Sequence, residues 1–354
     1  MLHPILKAYG LDPTLYHSEP FGSGLINHTW KVFGQNKQYI LQQINTAVFK
    51  TPKAIADNLQ LLADYLACHE PDYIFAAPLA AVNGQFVVIA DEEYYRLLPF
   101  IKGSHTVDFL TESRQAFEAA QQFSKLTHLL SNFDTSKLKY TLPDFHNLSL
   151  RVKQFKHALR NANAARIELA KNEIEQVKQL IDIADIYDHI VEDKLLPLRV
   201  IHHDTKINNV LFDDDDKGIT VIDLDTVMPG YYISDVGDMM RTYLAEASEE
   251  EQDLSKIHIR ESFFAAIYSG YMGTMGNTLM AEEKKLFIYS GKFMIYMQAV
   301  RFLTDFLNGD IYYPTKYDGH NLMRAKNQLY LLDQYLATEP AFNNIITQHI
   351  GQPG

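Results

Sequence analysis

Residues 202–209 read His202-His203-Asp204-Thr205-Lys206-Ile207-Asn208-Asn209, and residues 221–225, shortly after them, read Val221-Ile222-Asp223-Leu224-Asp225. Apolar runs at 198–201, 210–212 and 219–222 flank these stretches and predict short strands with polar residues at their ends. The pattern therefore predicts a compact loop-and-strand unit that collects several carboxylates, an ammonium group and amides.

Transfer of the terminal phosphoryl group of ATP needs this set of groups. The acceptor hydroxyl must lose a proton and Mg²⁺ needs oxygen ligands, because positioning and charge stabilise the transition state. We interpret Asp204 as the base, and Asn209 and Asp223 as sources of Mg²⁺ ligands. Lys206 is expected near the transferring phosphate. Asp225 is a further metal candidate, and its alternative is a strand-end carboxylate hydrogen-bonded to the loop.

An ordinary hairpin with polar ends is the alternative to this interpretation. A lone His-x-Asp would favour the hairpin, whereas the agreement of Lys206, Asn209 and Asp223 favours catalysis. His202 is expected to brace the loop rather than to react. The acidic run 213–216, followed by Lys217 and Gly218, predicts a solvated turn.

Composition sets the class of protein. A chain of 354 residues with 47% apolar content can bury a large core and is expected to form two lobes. Its one cysteine, Cys68, excludes an internal disulfide. The first residues carry no signal-peptide pattern, and no apolar run reaches the roughly 18 residues of a membrane span, so we expect a cytoplasmic protein without a membrane partner.

The formal net charge of −12 argues against a nucleic-acid partner, whose phosphates would be repelled. A small-molecule substrate remains compatible with this charge. A bound nucleotide would need Mg²⁺ and a few basic residues to reverse the local field.

The first hundred residues are rich in strand signals. Gly22, Ser23 and Gly24 interrupt two apolar runs, and such a turn lets backbone N–H groups approach nucleotide phosphates. Thr51 and Pro52 predict the start of a helix with an apolar stripe, as in the single helix of a kinase small lobe. Asn83 and Gly84 predict a turn between two strands at 85–89 and 94–100. The segment 98–102, with Phe100, is a candidate hinge whose backbone could pair with adenine.

Helical periodicity dominates after the hinge, at 117–130, 174–184, 263–272 and 281–307. We therefore predict an α+β, bilobal fold. Residues 1–102 would form a small, β-rich, nucleotide-binding lobe, and residues 103–354 a large helical lobe for catalysis and substrate binding.

The motif His202-x-Asp204-x-Lys206-x-x-Asn209 together with 222–225 resembles the aminoglycoside phosphotransferase and choline kinase superfamily, relatives of protein kinases. This resemblance implies a protein-kinase-like fold, with ATP and Mg²⁺ as cofactors.

Five segments (21–27, 39–45, 198–211, 221–230 and 301–312) resemble bacterial N-acetylhexosamine 1-kinases. The resemblance implies phosphorylation of the anomeric hydroxyl of N-acetylglucosamine or N-acetylgalactosamine. It also implies a sugar pocket that involves Asp204, Arg301 and Tyr312.

Each pocket residue has a simpler alternative. Arg301 could form a surface ion pair with Asp305, one helical turn away, and such a pair adds little stability. Tyr312 and Tyr313 could serve only in aromatic packing. The sugar interpretation is attractive because a neutral sugar needs a stacking face and fixed hydrogen-bond donors.

One departure from protein kinases concerns the third strand, where a lysine normally holds the α- and β-phosphates. Here residues 39–43 read Tyr-Ile-Leu-Gln-Gln, and Lys206 is the nearest replacement that the motifs supply.

Two other functions stay open. One is a kinase of a cationic molecule such as choline or an aminoglycoside, which the acidic surface and 21 tyrosines would suit. The other is a nucleotide-binding protein without catalysis, against which the intact carboxylates weigh.

Overall fold

The computed structural model of the protein describes residues 2–22, 27–34 and 37–351. A sheet-rich region at the N-terminal side is followed by a region built mainly from helices. The α+β prediction is therefore confirmed. The predicted boundary between residues 102 and 103 falls just after the last strand of the sheet and stays a prediction.

The N-terminal region contains α1 (His3–Ala8), β1 (His17–Pro20), β2 (His28–Gly34), β3 (Lys37–Ile44), α2 (Pro52–His69), β4 (Val88–Ala90) and β5 (Glu93–Pro99). Within the described residues, the five strands form one antiparallel sheet in the order β1-β2-β3-β5-β4. Strand β3 thus lies between β2 and β5. Alternate residues such as Val32, Leu41 and Leu97 are buried on one face against Ile5 and Leu6 of α1.

Helix α2 begins at Pro52, as predicted, although the Thr51 side chain makes no capping hydrogen bond. Its apolar stripe is buried. That stripe joins the large core formed with the C-terminal helices rather than the small core of the sheet. The helix therefore connects the two regions.

The hairpin between β4 and β5 differs from the prediction. Its turn is formed by Asp91 and Glu92, both at positive φ (50° and 65°), instead of by Asn83 and Gly84. A two-residue hairpin favours left-handed backbone at both positions, and Asn-Gly is the usual sequence signal for it. Gly84 adopts φ 79° in an earlier turn, so β4 begins only at Val88.

The C-terminal region contains α3 (Ser113–Leu129), α4 (Leu148–Asn161), α5 (Ala164–Leu169), α6 (Lys171–Gln179), α7 (Asp182–Glu192), β6 (Arg199–Ile201), β7 (Val210–Phe212), β8 (Gly218–Val221), β9 (Met228–Gly230), α8 (Ile233–Tyr243), α9 (Glu261–Met275), α10 (Ala281–Lys285), α11 (Phe287–Leu307) and α12 (His320–Ile350). Strand β6 pairs with β9, and β7 with β8.

The predicted helices at 174–184 and 281–307 are each divided in the structure. The first breaks between α6 and α7, and the second at Leu286 between α10 and α11. Periodicity did not reveal the breaks because residues on both sides of each break are buried in the same core. Among the described residues, no helix combines the length and apolar character needed to cross a bilayer.

Helices α8 and α11 approach closely at Gly237. A Cβ atom added there would lie 2.2 Å from the Ser290 carbonyl oxygen. We expect Gly237→Ala to lower the free energy of unfolding by about 1–3 kcal/mol, the usual cost of overpacking. Gly273→Ala in α9 is the control, because an added Cβ meets nothing within 4 Å. Chemical denaturation should show this control unchanged or stabilised by up to about 1 kcal/mol, and equal loss in both variants would contradict the packing account.

Candidate functional site

Two buried carboxylates of α8 fix the loop that carries Asp204 by accepting hydrogen bonds from its backbone N–H groups. Asp235 accepts hydrogen bonds from the backbone N–H groups of His202 (2.8 Å) and His203 (2.7 Å). Asp238 accepts one from the Thr205 N–H (2.9 Å). Burial raises the pKa of Asp235 to about 6. Sequence reasoning missed both residues, although two acids one helical turn apart, next to the apolar residues Val236, Met239 and Met240, were a usable signal.

The predicted groups Asp204, Lys206 and Asn209 lie together. Asp204 Oδ2 accepts hydrogen bonds from Lys206 Nζ at 2.8 Å and Asn209 Nδ2 at 3.1 Å. Burial alone would raise the pKa of Asp204, but the Lys206 ammonium and the Asn209 amide outweigh it and lower the pKa. The side chain is 27% exposed. Asp204 is thus an ionised, accessible carboxylate, as a general base at neutral pH requires.

Lys206 is bonded to Asp204 and is close enough to Asp223 for the two charges to interact. Burial would lower its pKa, but the charges of Asp204 and Asp223 raise it. Its side chain is 40% exposed, so the ammonium is reachable from solvent. This position suits a residue that contacts a transferring phosphate.

Asp223 follows β8 rather than lying within it, and its backbone is left-handed (φ 59°, ψ 56°). Burial, and then the Asp225 carboxylate, raise the pKa of Asp223 to about 6. Among the described residues, none donates a hydrogen bond to its side chain. Asn209 uses its amide nitrogen on Asp204, which leaves the amide oxygen for another partner.

The free oxygens of Asn209 and Asp223 fit a Mg²⁺ ion shared with a nucleotide. Within the part of the chain that the structure describes, no group of three His, Cys, Asp or Glu side chains could form a metal cage. Mg²⁺ usually binds through one or two carboxylates together with substrate phosphates and water. The donor set therefore fits a metal–nucleotide complex better than a resident ion.

Asp225 occupies a different environment. Its side chain is almost fully buried, with Oδ1 bonded to Arg96 Nη1 and Oδ2 accepting from Asn27 Nδ2 at 3.0 Å. Both carboxylate oxygens are engaged, which favours a structural carboxylate over a metal ligand. His202, fully buried, has Nε2 2.9 Å from the carbonyl oxygen of Ile222, so it braces the loop against the segment that follows β8.

The two predicted nucleotide-binding segments approach each other at the Phe21 and Phe100 rings. Gly22 has φ 76°, and the adjacent Phe21 ring lies 6.1 Å from the Phe100 ring. The Lys31 ammonium lies 4.4 Å from the centre of the Phe100 ring. The predicted residues Ser23 and Gly24 lie outside the described residues.

Arg301 does not pair with Asp305. Its guanidinium carbon lies 5.8 Å from the Phe145 ring centre and 5.5 Å from that of Tyr313, and Nη1 donates to Gln298 Oε1 at 3.2 Å. The side chain therefore lies in an aromatic setting rather than in a surface ion pair.

Asp305 instead orders the segment after α11. Oδ1 accepts from the N–H groups of Ile311 (3.1 Å) and Tyr312 (2.9 Å), and Oδ2 accepts from that of Tyr313 (2.9 Å). The Tyr312 side chain is 70% exposed, whereas Tyr313 faces Arg301. Sequence reasoning selected Tyr312, but the structure brings its neighbour to the cluster.

A set of buried polar groups surrounds Arg301. We call His146, Arg151, Arg301 and Tyr313 the acceptor cluster. Among the described residues, His146 Nδ1, Arg151 Nε and the Tyr313 hydroxyl are buried without a hydrogen-bond partner, and neither guanidinium forms an ion pair. The His146 ring lies 5.4 Å from that of His203, next to Asp204. Buried polar atoms in folded proteins are usually hydrogen-bonded, so the Arg151 and Tyr313 groups can donate to a ligand with hydrogen-bond acceptors.

The electrostatics of the acceptor cluster are positive. Burial and the Arg301 charge lower the pKa of Arg151. Burial, then His203 and Arg301, hold the pKa of His146 well below its usual value, so that ring is neutral. The acceptor cluster would therefore repel a cationic ligand.

A cavity of about 300 Å³ opens beside Asp204. Its polar lining includes Asn208, Arg241, Glu249 and Gln328. Arg241 bridges Asp238 (2.9 Å) and Glu249 (2.8 Å), while Asn208 Oδ1 and Gln328 Oε1 are buried without a partner among the described residues. Sequence reasoning missed this wall, because its residues come from separate helices and loops.

Comparison with known proteins gives a family match. The family model described as "Phosphotransferase enzyme family" matches residues 17–266, which extend from β1 into α9. The match includes the 202–225 unit.

Solved structures share the fold over nearly the whole chain. A microcompartment-associated aminopropanol kinase is 15% identical, with a TM-score of 0.65 and coverage of 95% of this chain and 97% of that one. Spectinomycin phosphotransferase in complex with ADP and spectinomycin is 14% identical (TM-score 0.59; coverage 96% and 97%). Choline kinase from Cryptosporidium parvum Iowa II is 15% identical (TM-score 0.57; coverage 99% and 97%). At this identity the likeness concerns the fold, and it confirms the predicted bilobal, protein-kinase-like architecture.

Proposed function

The chain belongs to the phosphotransferase enzyme family, and from this premise we propose that it phosphorylates the anomeric hydroxyl of an N-acetylhexosamine with ATP and Mg²⁺. The acceptor would be N-acetylglucosamine or N-acetylgalactosamine. The observation that supports this most is the ionised Asp204, whose neighbour His203 contacts the His146 ring of the acceptor cluster.

Asp204 accepts the proton of the sugar O1 as this oxygen attacks the terminal phosphorus of ATP, and the bond from that phosphorus to the bridging oxygen breaks so that ADP leaves. Lys206, bonded to Asp204, keeps the carboxylate oriented and offers positive charge to the moving phosphoryl group. Asn209 and Asp223 would hold Mg²⁺ through their free oxygens, and the ion would supply positive charge that offsets the nucleotide phosphates.

The nucleotide lies between the sheet and the catalytic loop in this account. The backbone around Gly22, Ser23 and Gly24 receives the phosphates, and the segment at Phe100 receives adenine. The contact between Phe21 and Phe100 supports a common site for these two segments.

The acceptor cluster supports a neutral, oxygen-rich substrate. Hydroxyl oxygens and the carbonyl oxygen of a 2-acetamido group can accept hydrogen bonds from Arg151, Arg301 and Tyr313, and Phe145 offers a flat apolar face. Choline or an aminoglycoside would bring positive charge toward the guanidinium groups of Arg151 and Arg301, neither of which has an ion-pair partner among the described residues. The cationic-acceptor alternative is therefore less well supported.

The proposal is tested by ATP consumption with a panel of amino sugars, neutral hexoses, choline and aminoglycosides. We expect turnover with N-acetylglucosamine or N-acetylgalactosamine and none with choline. Turnover with choline or an aminoglycoside, and with no amino sugar, would replace the proposal by its alternative.

Arg301→Ala should raise the KM for the sugar by about tenfold or more, since a hydrogen bond from a charged group contributes roughly 1.5–3 kcal/mol. The KM for ATP should change much less, because Arg301 lies on the acceptor side. Arg160→Ala, an exposed arginine of α4, is the matched control and should leave both constants unchanged. A larger rise in the KM for ATP than in the KM for the sugar would contradict the assignment, because it would place Arg301 at the nucleotide site.

A further inference from the structure

Within the proposed nucleotide-dependent function, we propose that Arg96 takes the place of the missing third-strand lysine. Its guanidinium, paired with Asp225, supplies the positive charge that binds the nucleotide phosphates.

The pairing of β5 with β3 places Arg96 next to the strand on which protein kinases carry the phosphate-binding lysine. Arg96 of β5 is the direct partner of Gln42 of β3. Its Nε and Nη2 donate to Gln42 Oε1 at 2.9 and 2.7 Å. Strand β3, which has no lysine at positions 39–43, therefore carries a guanidinium that the neighbouring strand β5 fixes across its surface.

Asp225 supplies the carboxylate of this pair. Arg96 Nη1 donates to Asp225 Oδ1, and both side chains are nearly fully buried. Asp225 lies two residues after the metal candidate Asp223. The ion pair therefore connects the sheet to the segment that would hold Mg²⁺.

In protein kinases the third-strand lysine pairs with a glutamate of the small-lobe helix. The corresponding helix, α2, offers two acids, Asp57 and Asp64, and both are exposed. Asp57 pairs with Lys139 at 2.7 Å, and Asp64 accepts from Gln60. In this chain the cation therefore lies on β5 instead of the third strand. Its carboxylate lies on the segment after β8 instead of the small-lobe helix.

Arg96 retains donors for a phosphate. Arginine has five N–H bonds, and each terminal nitrogen of Arg96 keeps one N–H beyond its bonds to Gln42 and Asp225. Arg96 is also close enough to Asp223 for its charge to act on that carboxylate. A charge in this low-dielectric setting acts more strongly than one in water. Lys206, the replacement that the motifs predicted, is bonded to Asp204 on the acceptor side.

The test compares Asp225→Asn with the double variant Arg96→Gln/Asp225→Asn. Removing Arg96 alone would leave a buried, unpaired carboxylate and destabilise the protein. The double variant removes both charges together. Binding of ADP is measured by calorimetry in the absence of sugar, and the melting temperature is measured without ligand.

We expect Asp225→Asn to bind ADP at least as tightly as the wild type, because Arg96 loses its competing anion. The double variant should bind ADP about tenfold more weakly or worse. Its melting temperature should be no lower than that of Asp225→Asn, which leaves the buried Arg96 without its carboxylate. Arg96→Lys, which keeps the charge and the ion pair, should retain more ADP affinity than the double variant.

Equal ADP affinity in the double variant and Asp225→Asn would overturn the assignment and leave a purely structural ion pair. Weaker binding by Asp225→Asn than by the wild type would also contradict it. A wild-type protein that binds no ADP would instead overturn the proposed nucleotide-dependent function itself, so the two failures are distinguishable.

Discussion

Asp204→Ala is expected to lower kcat by about 10²–10⁴, the usual contribution of a general base. Its carboxylate is ionised, partly exposed and fixed by Lys206 and Asn209, so alanine removes the proton acceptor. Sugar affinity should change less than turnover, because the acceptor cluster remains. Steady-state kinetics with both substrates measures the two effects separately.

Two further variants sharpen this result. Asp204→Asn can still meet Lys206 and Asn209 with an amide, yet it cannot take up a proton, so it should be nearly as slow as the alanine variant. Asp214→Ala, in the exposed acidic turn, should retain wild-type turnover. Near-normal turnover of Asp204→Ala would show that another group is the base.

Asp223→Ala is expected to lower turnover by a comparable factor of about 10² or more while also weakening binding of the metal–nucleotide complex. The Asp223 carboxylate accepts no hydrogen bond among the described residues, so its oxygens are available to the ion. Titration of Mg²⁺ at fixed ATP should give a higher half-saturating concentration for this variant. The sugar KM should stay close to that of the wild type.

The Mg²⁺ dependence of the Asp204 and Asp223 variants distinguishes a base from a metal ligand. Asp204→Ala should keep its Mg²⁺ dependence, whereas Asp223→Ala should lose apparent affinity for the ion. If the Mg²⁺ titration curve of Asp223→Ala overlaid that of the wild type, the metal would be held elsewhere.

Local sequence was sufficient to predict that Asp204, Lys206 and Asn209 lie together, because they are close in the chain. The loop at 202–209 and the segment after β8 are joined by a short hairpin, so spacing alone predicted that Asp204 and Asn209 would meet. Helix α2 was similarly predictable from Pro52 and its apolar stripe.

Contacts between distant segments were not predictable in the same way. The meeting of Arg96 with Asp225 depends on the register of β3 and β5 and on how the sheet meets the helical region. The support that Asp235 gives to the catalytic loop depends on the packing of α8 beneath it. A single sequence carries no signal for such pairings beyond the presence of charged residues in apolar elements.

The different positions of Tyr312 and Tyr313 have a simpler origin. Both residues lie in bends, and in this local geometry Tyr313 faces Arg301 while Tyr312 faces solvent. The three hydrogen bonds to Asp305 decide which is which, and they form across a turn that the sequence pattern did not specify.

The position of phosphorylation tests the central claim most directly. The wild-type protein would be incubated with ATP, Mg²⁺ and either N-acetylglucosamine or its methyl glycoside, in which O1 is blocked and the other hydroxyls are free. Phosphorus NMR of the products should show a sugar 1-phosphate from the free sugar and no phosphorylated product from the glycoside. Phosphorylation of the methyl glycoside at a rate similar to that of the free sugar would contradict the account, because the attacking oxygen could not then be O1.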